Sequence, residues 1–185
     1  VQTYDGGVDT YDGSKWSARF TKSKIIGANQ DDGCNYNHVD FDDPDIAGTQ
    51  TRVIFTYGSV DTSQNHGTAT ALISCGYPWG GVPKGYWGYI NWNTADSTAA
   101  DQVLNQGGYY ITHSYGATGN TGDYSATSKG IDDVLTARPK MTFIWASGNQ
   151  AGAGEKCAEE GTPKNVISAG GVLQGTTQGD ISDDT

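Results

Sequence analysis

Met141-Thr142-Phe143-Ile144-Trp145-Ala146 is a continuous apolar run followed at once by Ser147-Gly148-Asn149. An unbroken apolar run of this length between turn signals reads as a strand buried on both faces, the habit of a parallel sheet. The segments around it alternate in the same way. Before it, Tyr124 to Ala137 sets Ile131, Val134 and Leu135 at helical spacing, and Pro139 stops that helix. Earlier still come a strand over Tyr109 to His113 and a helix over Ser97 to Asn105, the latter closed by Gly107-Gly108. His66 to Cys75 is Ala-rich and helix-forming. Lys24 to Ala28, Arg52 to Tyr57 and, after the apolar run, Asn165 to Ala169 read as strands, and Val1 to Tyr4 as a strand stub entering Asp5-Gly6-Gly7. Strands alternating with helices of ten to fifteen residues predict an α/β fold, a mainly parallel central sheet with helices on both faces, in one domain over 1–185.

Composition narrows the function classes. The chain carries 21 acidic against 11 basic residues, a formal net charge of −10, so phosphate backbones are disfavoured as partners. Its 27 glycines follow no period, which excludes collagen and simple repeats, and its 5 Trp and 11 Tyr argue against disorder. No apolar run reaches the length of a membrane span. The acidic clusters Asp31-Asp32, Asp40 to Asp45 and Asp180 to Asp184 read first as solvated surface. Their oxygen ligands also suit a structural Ca²⁺, although no cofactor is required. Cys34, Cys75 and Cys157 are odd in number and lack metal-type spacing. The expectation is a Cys34–Cys75 bond, with Cys75–Cys157 and three free thiols as alternatives. The composition points to a secreted or extracellular protein.

In an α/β sheet functional groups collect at the carboxyl ends of strands. That rule draws attention to Asp5, to Ser114-Tyr115-Gly116 and to Gly148-Asn149, each directly after a predicted strand. His66, in Asn65-His66-Gly67-Thr68-Ala69-Thr70-Ala71, opens a helix and can exchange protons near neutral pH. Alone, each has an ordinary reading: a turn Asp, a surface His, a capping Asn. Their chain order, Asp, then His-Gly-Thr, then Ser-Gly-Asn after a buried strand, is what changes the odds.

These stretches resemble the subtilisin-like serine protease family. Tyr4 to Asp9 is similar to its strand-Asp-x-Gly motif, and Asn65 to Ala71 to its His-Gly-Thr motif. Thr112 to Gly116 is similar to its Asn-x-Ser-x-Gly strand, Phe143 to Gln150 to its oxyanion motif, and Gly161 to Gly171 to its Asn-Val-Ile strand. The stretch over Tyr124 to Met141 looks most like the branch with a C-terminal β-barrel. The resemblance implies a serine endopeptidase with Asp5, His66 and Asn149 as catalytic residues and Ser114, Tyr115 and Gly116 binding a polypeptide substrate. Asp5 should then lie within about 3.5 Å of His66 Nδ1. The family's Gly-Thr-Ser-Met-Ala motif does not occur, so the resemblance implies a partial catalytic domain whose serine lies on a C-terminal segment or a second chain. Gly6 also departs from the family's Thr or Ser. A non-catalytic scaffold of the same fold, part of a surface assembly, is the alternative.

Overall fold

A computed structural model describes residues 26–42, 51–77, 80–82, 85–116, 122–149 and 157–170. The fold is α/β, a six-stranded parallel sheet with helices between its strands, as the alternating pattern predicts. Two compact units divide between Thr112 and His113. No described helix is long and apolar enough to cross a membrane.

In the first unit the strands are β1 (Ile26–Asp31), β2 (Val53–Tyr57) and β3 (Tyr86–Asn91). β3 lies between the other two and runs parallel to both. β1 is paired in register from Ile26 opposite Tyr86 to Asp31 opposite Asn91. Every residue of β1 is buried, yet three of its six are polar: Asn29, Gln30 and Asp31. Burial of such groups is tolerated only with partners, and Gln30 donates to the Thr94 carbonyl at 2.8 Å. β3 was not expected. Its Gly88 sits under the Phe55 ring, where a Cβ would come within 2.0 Å of that ring, so a glycine in mid-strand marks a close approach rather than a loop.

Helix α1 (Asn65–Cys75) follows β2, and α2 (Asp96–Asn105) follows β3. α2 begins one residue before Ser97, where the sequence starts the helix, and Ala95 is its N-cap, without a side-chain cap bond. Cys34, Phe41, Ala71, Cys75, Trp87 and Tyr89 form a buried cluster behind α1. The expected Cys34–Cys75 disulfide is not formed: both are free, buried thiols in that one cluster, and Cys157 is free as well. Burial pushes the Cys34 thiol up to about 12 and raises that of Cys75 further.

β4 (Tyr110–His113) spans the division. In the second unit α3 (Ala126–Thr136) is opened by Ser125, whose hydroxyl accepts from the Thr127 and Ser128 backbones. β5 (Thr142–Ala146) runs parallel to β6 (Ile167–Ala169). β5 differs from the two-faced burial its sequence predicts: Phe143 and Trp145 are buried, while Thr142, Ile144 and Ala146 are half-exposed. β6, within the strand expected over Asn165 to Ala169, is exposed throughout, with Ile167 at 55%. Asp132 ties α3 to the stretch before β6 by accepting from the Lys164 and Asn165 backbones at 3.1 and 2.9 Å and from the Tyr124 hydroxyl.

Candidate active site

His66 is the second residue of α1, and its Nδ1 lies 2.8 Å from Oδ1 of Asp31, the last residue of β1. Asp5, to which the sequence assigned that contact, lies outside the described residues, and the place given to it is filled by Asp31. Asp5-Gly6-Gly7 and Asp31-Asp32-Gly33 both offer an Asp shortly before Gly, and among the described residues it is Asp31, at the end of β1, that meets His66.

The approach of α1 to β1 depends on Gly67. A Cβ there would stand 2.0 Å from the Gly33 carbonyl oxygen and 2.9 Å from Asp31 Cβ. The next residue grips the loop after β1: Thr68 Oγ1 accepts from the Asn35 backbone at 2.8 Å while donating to the Gln64 carbonyl at 2.7 Å. Asp32 accepts from the Gly67 backbone at 3.2 Å, placing a carboxylate at the positive end of α1. His-Gly-Thr is therefore a docking motif as well as a chemical one.

Asp31 is held at three oxygens. Oδ1 accepts from the Asp32 backbone at 2.8 Å as well as from His66, and Oδ2 accepts from Thr70 Oγ1 at 3.0 Å. Its carbonyl accepts from Trp92 N at 2.9 Å and from the Tyr89 hydroxyl. Burial, reinforced by the Asp31 charge, raises the Tyr89 phenol well above its ordinary value, so it stays a donor. The Asp31 side chain is 2% exposed and that of His66 55%. A carboxylate oxygen without a proton only accepts, so in that pairing Nδ1 is the donor and Nε2 is the nitrogen left to exchange a proton. The result is a buried, firmly held carboxylate beside an accessible imidazole. One ligand atom each from Asp31, Asp32 and His66 also lies within 4.8 Å of the other two, so the corner offers a cation three ligands. Such an ion would compete with the Asp31–His66 bond for the same atoms.

The remaining predicted site residues lie in the second unit. Ser114 and Tyr115 are half-buried and Gly116 is exposed at the end of β4. The Tyr115 carbonyl accepts from the Trp145 indole at 2.7 Å. His113 stacks on Trp145 at 3.8 Å with the rings 2° from parallel, and burial pushes its imidazole down to about 3 despite a hydrogen bond with the Ile144 backbone. His113 is thus a packing residue and not a proton carrier near neutral pH. Asn149 is exposed beyond β5, after Gly148 at φ 123°, a left-handed turn that favours glycine.

No family model matches the chain, and no curated protein matches it. Solved structures do. The prenylagaramide maturation protease PagA superposes with a TM-score of 0.58 at 22% identity over 86% of this chain. The CspB protease of Clostridium perfringens does so with a TM-score of 0.55 at 20% identity over 78%. The chain spans 58% and 42% of the lengths of those two structures. Identity this low establishes a shared fold and nothing finer. The subtilisin-like family membership implied by the motifs, its β-barrel branch included, is therefore corrected to a fold shared with two proteases.

Proposed function

We propose that this chain carries the acid–base half of a peptide-bond hydrolase, with His66 as general base and Asp31 as its orienting acid. The carrying observation is the 2.8 Å bond between a buried carboxylate and a half-exposed imidazole. In this reading His66 Nε2 takes the proton of a serine hydroxyl as that oxygen attacks the scissile carbonyl. Asp31 stabilises the imidazolium that forms, and water then hydrolyses the acyl-enzyme. The serine comes from a C-terminal segment or a second chain. No metal or cofactor is needed for these steps. Chain order, rather than geometry, gives Asn149 the role of donor to the oxyanion, and Ser114, Tyr115 and Gly116 the pairing with the substrate backbone.

The test is covalent labelling of the full-length protein. A fluorophosphonate should label it at one serine, and His66→Ala and Asp31→Ala should each abolish labelling while an alkylating thiol probe is unaffected. Labelling that survives His66→Ala, or a folded protein that neither labels nor cleaves any of a varied peptide set, overturns the proposal. The second outcome favours a scaffold.

A further inference from the structure

We propose that Thr70, itself held by Asn29, is a positioning residue that fixes the Asp31 carboxylate against His66. The kinetic consequence rests on the hydrolase reading above; the geometric one does not. Thr70 lies one turn after His66 on α1, so both side chains reach the same end of β1. Its Oγ1 is 3.0 Å from Asp31 Oδ2 and 3.1 Å from the Gly67 carbonyl. One hydroxyl has one proton for these two acceptors.

Asn29 decides between them. Its Nδ2 donates to the Gly67 carbonyl at 3.2 Å and to Thr70 Oγ1 at 2.9 Å. The carbonyl is thereby supplied, the hydroxyl oxygen has its donor, and the hydroxyl proton is left for the carboxylate, the stronger charge-assisted bond. The amide orientation of Asn29 is supported from its other end, where Thr112 Oγ1 donates to Oδ1 at 3.1 Å in preference to the Ala28 carbonyl at 3.4 Å. A relay therefore runs from Thr112 through the buried Asn29 and the half-buried Thr70 to Asp31 and ends on His66. Asn29 is fully buried, and a polar pair inside a strand–helix contact costs stability relative to apolar packing unless every atom is satisfied. Here the pair is satisfied, and its terminal proton points at the second oxygen of the acid. With Oδ1 shared between Asp32 N and His66, the hydroxyl sets the carboxylate's rotation and so the line of the bond to Nδ1.

The experiment uses the full-length protein with Thr70→Val, which keeps the shape and removes the hydroxyl, and Thr70→Ser, which restores it. The first readout is the low-field proton resonance of His66 Nδ1, assigned by its loss in His66→Gln. The second is the split of peptide hydrolysis into kcat and KM. We expect Thr70→Val to shift or broaden the resonance and lower kcat about tenfold with KM unchanged, the scale of one bond to a charged group. Thr70→Ser should restore both. If Thr70→Val does not fold, Thr70→Cys supplies a weak donor and should give an intermediate resonance. A wild-type resonance in Thr70→Val or Thr70→Cys overturns the proposal. So does a Thr70→Ser protein that behaves like Thr70→Val, since that assigns the effect to the methyl group. A wild-type protein that cleaves no peptide overturns the hydrolase reading, and the resonance alone then decides the role of Thr70.

Discussion

Asp31→Asn should slow peptide hydrolysis by a moderate, calculable amount, because the structure dictates how the new amide must lie. Its two ends are not equivalent. The Oδ1 position already receives the Asp32 N–H at 2.8 Å and the His66 Nδ1 proton at 2.8 Å. An amino group there would face the Asp32 N–H, donor against donor. The carbonyl oxygen therefore takes that position, and the amino group takes the place of Oδ2. There it meets Thr70 Oγ1, whose proton can turn to the Gly67 carbonyl 3.1 Å away. The His66 tautomer survives, and what is lost is the charge that stabilises the imidazolium. At a separation of about 4 Å that attraction is roughly 4 kcal/mol at an effective dielectric of about 20 and about 1 kcal/mol in water. With the His66 side chain 55% exposed, the value falls between these limits. A loss of about 2–3 kcal/mol is a drop in kcat of roughly 30- to 150-fold. The assay is steady-state hydrolysis by the full-length protein at saturating peptide, with Asp5→Asn measured beside it and unchanged. Wild-type activity in Asp31→Asn refutes the assignment of the acid. A loss near 10⁴-fold, the scale seen when the tautomer is inverted, refutes the amide orientation argued here. A large loss in Asp5→Asn restores the original reading.

Three further outcomes follow from the same geometry. Gly67→Ala should displace α1 from β1, because its Cβ meets the Gly33 carbonyl at 2.0 Å; a destabilisation of about 1–3 kcal/mol in urea melts and loss of the His66 Nδ1 resonance are expected. With Cys34 pushed up to about 12 and Cys75 raised by burial, iodoacetamide at mild alkaline pH should modify only Cys157 in the native protein and all three thiols after unfolding. A Cys34–Cys75 disulfide found by peptide mapping contradicts that. His113 titrates at about 3 when folded against about 6.5 when unfolded, so its contribution to stability is complete above about 6.5 and falls with pH toward 3. Between those limits the slope is up to about 1.4 kcal/mol per pH unit. His113→Phe, which can keep the stack on Trp145, should flatten the urea midpoint between pH 7 and pH 4.

What the sequence revealed depended on where the deciding contacts lie along the chain. Helices α1 and α3 and strands β2, β4 and β5 were legible because periodicity, an apolar run or a proline stop is local information. β3 was hidden because Tyr86-Trp87-Gly88-Tyr89 sits among glycines that read as loop, and the ring that explains Gly88 belongs to Phe55. The end of β1 was hidden more deeply. Ala28-Asn29-Gln30-Asp31 looks like surface, and it is buried only because Gly67, Thr70, Thr94 and Thr112 supply its partners. His66 was legible from His-Gly-Thr, since that motif carries its own reason: a base, a glycine for close approach and a hydroxyl to grip the neighbouring loop. The Asp31 contact was not, since two Asp residues near Gly, Asp5 and Asp31, offer themselves for it, and the approach of β1 to α1 that brings Asp31 to His66 is not local information. The signal that could have found Asp31 is the complementary pair Asn29 and Thr70, one two residues before Asp31 in a strand and the other four residues after His66 in a helix.

Among the described residues, the groups seen to orient His66 belong to the first unit. Asp31 and Asn29 come from β1, Thr70 and Gly67 from α1, Tyr89 from β3 and Thr112 from β4. None of these contacts draws on the segment that carries Ser114, Tyr115, Gly116 or Asn149. Under the proposed function, the base would therefore be oriented before any nucleophile or oxyanion donor acts. Preorganisation of this kind lowers the reorganisation needed during reaction. It also separates two failures that activity measurements alone confuse. Substitutions in the relay should disturb the His66 resonance and kcat together. Substitutions at Asn149 should lower kcat and leave the resonance where it was.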